Sequence, residues 1–278
     1  MPADVPALTV IVPAFNEADR IAAPLREIGA YLTAQDYGAE IVVVDDGSDD
    51  GTVEVVCSAA AGFAPAVRVL RCEVNWGKGH ALKVGFAAAR GEQILFTDAD
   101  LSTPIEGAGR LLTALNEGAD IAIGSRKAPG AEIAKHQPWY REQMGRIFTL
   151  IVRGLIADVS DATCGFKAFR AEVGRDLFSR VRVFDWSFDA EVLWIARQRG
   201  YRLAEVPVHW EDRAGTKVSL LADTLRSLLG LARIRFNAAR GRYAAPHPAE
   251  RAREVWSGGG TPLVPGAART TTPADGSG

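Results

Sequence analysis

The chain has 278 residues, of which 47% are hydrophobic and 24% charged, with a formal net charge of -2. That balance suits a globular domain with a full core and gives no electrostatic reason to expect nucleic acid as a partner. Its three cysteines, Cys57, Cys72 and Cys164, are too few and too scattered for a disulfide framework or a zinc site, and they point to a reducing cytosol.

In chain order, LTVIV, EIVVVD, VRVLR, QILFTD and DIAIGS read as short strands, separated by helical patterns such as EADRIAAPLREIGAYLTA, GHALKVGFAAAR and IEGAGRLLTALNEG. The alternation predicts an α/β fold, a mostly parallel, Rossmann-like sheet with helices on both faces. Ligands of such sheets sit beyond the carboxyl ends of the strands, and those ends read PAFNE, DDGSDDGT, TDAD and GSR. From about residue 130 the rhythm changes to WYREQMGRIFTLIVRGLI, SDATCGFKAFR, DWSFDAEVLWIARQRG and RLAEVPVHW, a half expected to complete the site rather than form a second domain. One domain is therefore expected over residues 1–243. Its end, 219–243, reads as a basic amphipathic helix, and residues 244–278, with five Pro and six Gly, read as a disordered tail. The N-terminal MPADVPALTVIVPAFNEADR lacks a basic leader region, and no run reaches the ~18 apolar residues of a spanning helix.

The chemistry concentrates in TDADLSTP. Asp, Ser and Thr before Pro104 are ordinary helix-start residues. The competing reading has Asp98 and Asp100, alternate residues at a strand end, holding a divalent cation on a diphosphate, since magnesium usually takes one or two carboxylates plus phosphates and water. Asp45 and Asp46 end another strand, where carboxylates can accept from a base edge or ribose hydroxyls. NWGKGHALKVG fails the phosphate-loop pattern at both ends, with Cys72 in place of glycine and Gly79 after Lys78. His80, His136, His209 and His247 show no metal-ligand spacing.

Together VIVPAFNEADRI, VVVDDGSDDGT, NWGKGHALKVGF, FTDADLSTP, AIGSR and CGFKAFR resemble the family 2 glycosyltransferases of the GT-A fold. The resemblance runs from about Leu8 to Tyr243. Within that family, DADLSTP, DATCGFKAFR, WSFDAEVLWIARQRGYRLAEVPVHW and AGTKV are most similar to the dolichyl-phosphate (polyprenyl-phosphate) β-glucosyltransferases, with the polyprenyl-phosphate mannosyltransferases next. The resemblance implies that Pro13, Ala14, Asn16, Glu17, Asp45 and Asp46 line the nucleotide, that Gly77, Lys78 and Gly79 close over it, and that Asp98 and Asp100 coordinate Mg2+ or Mn2+. Ser102 stands where the mannosyl relatives often carry a metal-binding Gln. Arg126 and Arg146 match arginines that grip the acceptor phosphate, with Arg141 a rival to Arg146.

The implied reaction is an inverting displacement in which a polyprenyl phosphate oxygen attacks the anomeric carbon of a nucleotide sugar, UDP-glucose first and GDP-mannose as the alternative. A phosphate monoester is largely a dianion at neutral pH, so no general base is obligatory. Asp100, Arg126, Arg146 and Glu191 are the candidate catalytic residues. Asp189 and Glu191 either form a solvated helix face or shape the acceptor site, Glu191 being preferred; Lys167, Arg213 and Lys217 either reach phosphates or are surface charge. Asp161 reads as a turn residue. From Arg213 to Tyr243 the chain carries seven Lys or Arg against Asp223 alone. Leu220, Leu221, Leu225, Leu228, Leu229, Leu231, Ile234 and Phe236 fall in one arc there, which reads as a helix lying on the cytoplasmic face of a membrane, or else as a core helix with a basic face. Without that membrane contact, the alternative is a soluble transferase with a non-lipid acceptor.

Overall fold

The computed structural model describes residues 5–133, 154, 156, 159–211, 220–247 and 252–258. Arg141, Arg146, Arg213 and Lys217 lie outside the described residues, as does most of the segment beyond 247. In chain order the elements are β1 (Leu8–Ala14), α1 (Ala22–Thr33), β2 (Ala39–Asp45), α2 (Thr52–Ala60), β3 (Ala66–Cys72), α3 (Lys78–Ala88), β4 (Gln93–Thr97), α4 (Ala108–Asn116), β5 (Ile121–Ser125) and β6 (Glu132–Ile133). There follow β7 (Phe166–Arg170), α5 (Ala171–Arg180), α6 (Phe188–Gln198), β8 (Leu203–Pro207), β9 (His209–Trp210), α7 (Leu220–Ala239) and β10 (Ala252–Ser257).

Eight strands form one sheet in the order β10-β3-β2-β1-β4-β7-β5-β8. The run β3-β2-β1-β4 is parallel, β7 is inserted antiparallel between β4 and β5, and β8 runs parallel to β5. Every residue of β1 is buried, as expected of a strand covered on both faces. Its side chains alternate between two cores: Val10 and Val12 pack with Leu25, Ile28, Val56 and Leu111 of α1, α2 and α4. Ile11 packs with Leu82, Phe86, Phe178, Leu193 and Ile234 of α3, α5, α6 and α7. The second core holds an aromatic group in which Phe86 stacks on Phe178 at 3.9 Å between centroids and meets Phe169 edge-on at 5.2 Å; such ring pairs contribute about 0.5–1.5 kcal/mol beyond area burial.

The C-terminal tail departs from expectation. Residues 252–257 form β10, paired antiparallel with β3 and interrupted by a bulge between Glu254 and Trp256. Trp256 is buried, and Arg68 of β3 donates to Glu254 at 2.9 Å. The Pro and Gly that dominate residues 244–278 flank this stretch, AREVWS, without entering it, so average composition hides a local strand pattern. The folded unit therefore extends past residue 243.

Candidate active site

Strand order reverses between β1 and β4, because β2 and β3 extend the sheet to one side of β1 and β4 to the other. This is the position at which an open α/β sheet leaves a crevice beyond its carboxyl ends. The loops after both strands carry backbone strain: Asn16 has φ 52° and Leu101 has φ 49°. A left-handed conformation at a bulky residue costs on the order of 1–2 kcal/mol. Leu101 is held there by burial, by its N–H on Asp98 O at 3.1 Å, and by the neighbouring Ser102 N–H on Asp100 Oδ1 at 3.0 Å. The helix-start reading of this stretch fails, since neither the 3-10 turn at Ile105–Gly107 nor α4 receives a side-chain cap.

Asp98 stands at the mouth of the crevice with its side chain 39% exposed. Its Oδ2 lies against the bare Cα of Gly165, where any side chain would collide with the carboxylate. Its Oδ1 accepts from the ammonium of Lys78. Burial pulls the Lys78 pKa down, but Asp98 and Asp189 outweigh it and hold it above the usual lysine value. Arg20, unforeseen as a site residue, is paired with Glu17; its pKa is raised by that bond first and then by the charges of Asp100 and Asp98. Two hard carboxylates without imidazole or thiolate fit Mg2+ or Mn2+ rather than a softer ion. A second acidic group, Asp46 with Cys72 and His80, fits a metal poorly. Asp46 is engaged by backbone N–H groups, and burial pushes the Cys72 thiol up to about 12.

On the nucleotide side, Pro13 and Ala14 end β1 as buried residues. The Asn16 N–H donates to Ser48 Oγ and the Glu17 N–H to Thr52 Oγ1, both at 2.9 Å, which ties the β1 loop to the loop after β2. Asp45 and Asp46 are buried and already committed. Asp45 accepts from the Ser48 N–H and faces Arg71 at 3.4 Å, while Asp46 accepts from the Gly77 N–H at 2.7 Å and the Trp76 N–H at 3.3 Å. Burial raises the Asp45 pKa against the opposing Ser48 bonds. Both carboxylates therefore brace loops in this structure, rather than standing open to a base or ribose as expected. A cavity of about 180 Å³ beside them is lined by Ser48, Asp49, Thr52 and Arg71. Gly77, at φ 105°, and Gly79 are glycines because the 183–188 segment crosses them: a Cβ would come within 2.5 Å of Phe184 O and 2.7 Å of Phe188 Cβ respectively.

Arg126, at the end of β5, turns its fork onto Asp161, with Nε and Nη2 both at 2.7 Å from the carboxylate and Nη2 also on Thr163. Asp161 is a clamp and not only a turn residue. Arg126 overcomes the effect of burial and carries the Asp161 pKa down to about 2. Asp161 in turn lifts the Arg126 pKa above the usual arginine range, with a smaller contribution from Asp98. Nη1 is left as the guanidinium nitrogen that neither Asp161 nor Thr163 takes. Lys167 and Asp189 are also withdrawn from solvent, paired at 2.5 Å with Lys167 buried beneath the site.

Glu191 is a correction to the expected catalytic set. Its side chain is wholly buried, and its oxygens accept from the Arg182 and Val183 N–H groups at 2.9 and 2.8 Å and from the Tyr243 hydroxyl. A carboxyl shielded and saturated in this way fastens the 182–183 backbone and presents nothing to a substrate. The C-terminal helix likewise divides the expected apolar arc: Leu231 and Ile234 enter the core, whereas Leu229 and Phe236 are exposed. No helix among the described residues is long and apolar enough to cross a membrane.

The model of glycosyl transferase family 2 matches residues 9–178. Dolichyl-phosphate beta-glucosyltransferases of Trichomonas vaginalis, Drosophila melanogaster and Homo sapiens are 39%, 35% and 33% identical to the chain. The alignments cover 76% of this chain in each case and 66%, 69% and 69% of those proteins, so the chain spans about two thirds of their length. Among solved structures, glucosyl-3-phosphoglycerate synthase from Mycobacterium tuberculosis in complex with Mg2+ and uridine diphosphate superposes with a TM-score of 0.62 at 20% identity, covering 87% of this chain and 81% of that one. Mannosyl-3-phosphoglycerate synthase from Rubrobacter xylanophilus gives 0.64 at 19% identity, covering 88% and 77%. At these identities the structural likeness is one of fold, the GT-A-like sheet with helices on both faces. Since the family model spans more than half of the sequence and includes both strand-end loops of the crevice, the chain belongs to glycosyl transferase family 2.

Proposed function

We propose that the protein transfers a hexose, glucose from UDP-glucose in the first instance, to a polyprenyl or dolichyl phosphate with inversion at the anomeric carbon. The observation that carries this reading is the meeting of two chemistries in one crevice: the Asp98 and Asp100 carboxylates after β4, and the Arg126 guanidinium near enough for Asp98 to raise its pKa. The first suits a metal diphosphate and the second a phosphate acceptor. The names of the dolichyl-phosphate beta-glucosyltransferase relatives supply the substrate class.

A Mg2+ or Mn2+ ion held by Asp98 and Asp100 would supply charge neutralisation at the leaving diphosphate. The chain's own residues bind and align. The 183–188 segment crosses closely over Gly77 and Gly79 and so holds the loop assigned here to the nucleotide, and the Asx-type bond from Ser102 fixes the Asp100 carboxylate. Arg126, oriented by Asp161, offers Nη1 to an acceptor oxygen. The acceptor phosphate arrives ionised, so alignment rather than proton removal is the protein's task. Peripheral contact with the cytoplasmic face of a membrane belongs to the same proposal. Trp186 and Leu229 are both 59% exposed and Phe236 is 50% exposed. The bare Gly230 brings α7 against Ser187, beside Trp186, and the Arg240 guanidinium lies 4.0 Å over the Phe236 ring.

The test is incubation with radiolabelled UDP-glucose or GDP-mannose and a polyprenyl phosphate, followed by extraction. Label from UDP-glucose in the organic phase is the expected result. Label from GDP-mannose alone would make it a mannosyltransferase, and label confined to water would favour a non-lipid acceptor.

A further inference from the structure

We propose that Lys78 is the resident cation of the Asp98 carboxylate in the donor-free protein, yielding that carboxylate to a divalent cation only when a nucleotide diphosphate takes its ammonium. The inference rests on the reading of Asp98 and Asp100 as metal ligands and concerns how that site is kept before the donor binds.

Three observations carry it. The first is what the carboxylate already holds. A side chain at Gly165 would collide with both Asp98 oxygens, so the carboxylate is fitted against a bare glycine, and its Oδ1 is the atom that Lys78 occupies. The second is that, among the described residues, the other carboxylates acting on the ammonium are Asp189, already shared with a second lysine, and Asp100, itself assigned to the metal. Asp189, whose charge also acts on Lys78, has its Oδ1 on Lys167 at 2.5 Å, itself buried beneath the site. The third is the floor of the site. Lys78 Nζ lies 5.7 Å from the centroids of both Phe96 and Phe188, and an apolar floor keeps two neighbouring cations from being screened apart as they would be in water. A divalent ion arriving alone must therefore displace a paired ammonium, which would be left beside it with only carboxylates already committed to Lys167 or to the ion.

A diphosphate changes the balance because it offers the ammonium several oxygens of its own. Lys78 sits at the start of α3, immediately after the Gly77 turn, on the loop that borders the crevice. Metal and nucleotide then bind with positive coupling, each favouring the other, and by linkage the coupling is the same in either direction. The lysine is the element through which they couple.

The test is Mn2+ binding, read from the electron paramagnetic resonance signal of the free ion, with and without UDP. It is run on the full-length wild type, Lys78→Met, Lys78→Arg and Asp98→Asn, each first checked for a native melting transition. Wild type and Lys78→Arg are expected to bind Mn2+ weakly alone and at least about tenfold more tightly with UDP, the scale of one unit charge removed at close range. Lys78→Met is expected to bind Mn2+ alone about tenfold more tightly than wild type, with the enhancement by UDP reduced by a similar factor. Its turnover falls nonetheless, so metal affinity and activity move in opposite directions. Lys78→Met binding nucleotide-free Mn2+ no better than wild type, with the UDP enhancement intact, would overturn the inference while leaving the metal site standing. Equal Mn2+ binding by wild type and Asp98→Asn in the presence of UDP would overturn the metal reading itself.

Discussion

The hydroxyl of Tyr243 donates to Oε1 of Glu191 at 2.5 Å, joining the end of the C-terminal helix to the segment that crosses the glycine loop. Arg180 adds bonds to the Tyr243 and Ala244 carbonyls at 2.9 and 2.6 Å, and Arg182 adds one to Arg242 O at 3.0 Å. One buried carboxyl thus ties Tyr243 to the 182–183 backbone, and the two arginines reinforce the join.

That carboxyl sets a pH dependence. Burial raises the Glu191 pKa from 4.5 to about 7, against the Tyr243, Val183 and Arg182 bonds that favour its ionised form. Between those two values the unfolded chain has released the proton while the folded chain keeps it, so stability falls as pH rises through the window and levels off above it. Glu191→Gln cannot ionise and is expected to flatten the decline. Because one pKa unit is about 1.4 kcal/mol, the difference amounts to a few kcal/mol at most. Urea midpoints of both proteins on either side of the window measure it, and parallel pH profiles would contradict it.

Asp98→Ala or Asp100→Ala is expected to lower transfer by more than about 10²-fold, the scale of losing an electrostatic stabiliser of the transition state. Wild-type rates that persist in EDTA would count against the metal reading behind this.

Arg126 calls for a paired design. Removing it alone would strand the buried Asp161 carboxylate, a change that costs on the order of 3–5 kcal/mol. The double variant Arg126→Ala with Asp161→Asn avoids this and should raise the KM for lipid phosphate far more than the KM for the sugar nucleotide. The reverse pattern would move Arg126 to the donor side.

Trp256→Ala is expected to reduce stability by up to about 3 kcal/mol, the lower range for a buried tryptophan because β10 is an edge strand. Guanidinium midpoints check this, and an unchanged midpoint would mean that β10 contributes nothing to the sheet.

On the membrane side, wild type is expected to bind anionic liposomes at low ionic strength and to release them in salt, since each basic residue near such a surface contributes about 1 kcal/mol. Arg233→Glu with Arg240→Glu should weaken binding while transfer to a short water-soluble prenyl phosphate persists. Arg233 is the less telling of the two, because it already faces Asp185 at 3.8 Å. A wild-type protein that ignores these liposomes would favour the non-lipid acceptor.

The parallel run β3-β2-β1-β4 and the placing of Asp98 and Asp100 at a strand end were legible because both depend on local pattern: apolar runs broken by helical periods, and polar residues where the runs stop. What was not legible depends on partners distant in the chain. Asp161 reads as a turn residue until Arg126, 35 positions away, is folded onto it. Glu191 reads as a site residue until Tyr243, 52 positions on, closes over it. Arg20 is passed over in the sequence because its pairing with Glu17 looks like an ordinary local ion pair, and the further field from Asp100 and Asp98 has no motif. In the C-terminal helix, the arc of apolar residues was visible, but its division between core and surface is decided by which positions meet the rest of the protein.

The antiparallel strand β10 also changes what the sheet shows to other molecules. Without it, β3 would present an outer row of unpaired N–H and C=O groups beside buried Val67, Val69 and Leu70, a template on which a second chain can extend the sheet. β10 covers that row and makes a poor template in its turn, being short, bulged after Glu254 and charged at Arg253 and Glu254. Proteolytic loss of this one strand would therefore be felt first as concentration-dependent self-association, with the distant crevice chemically intact.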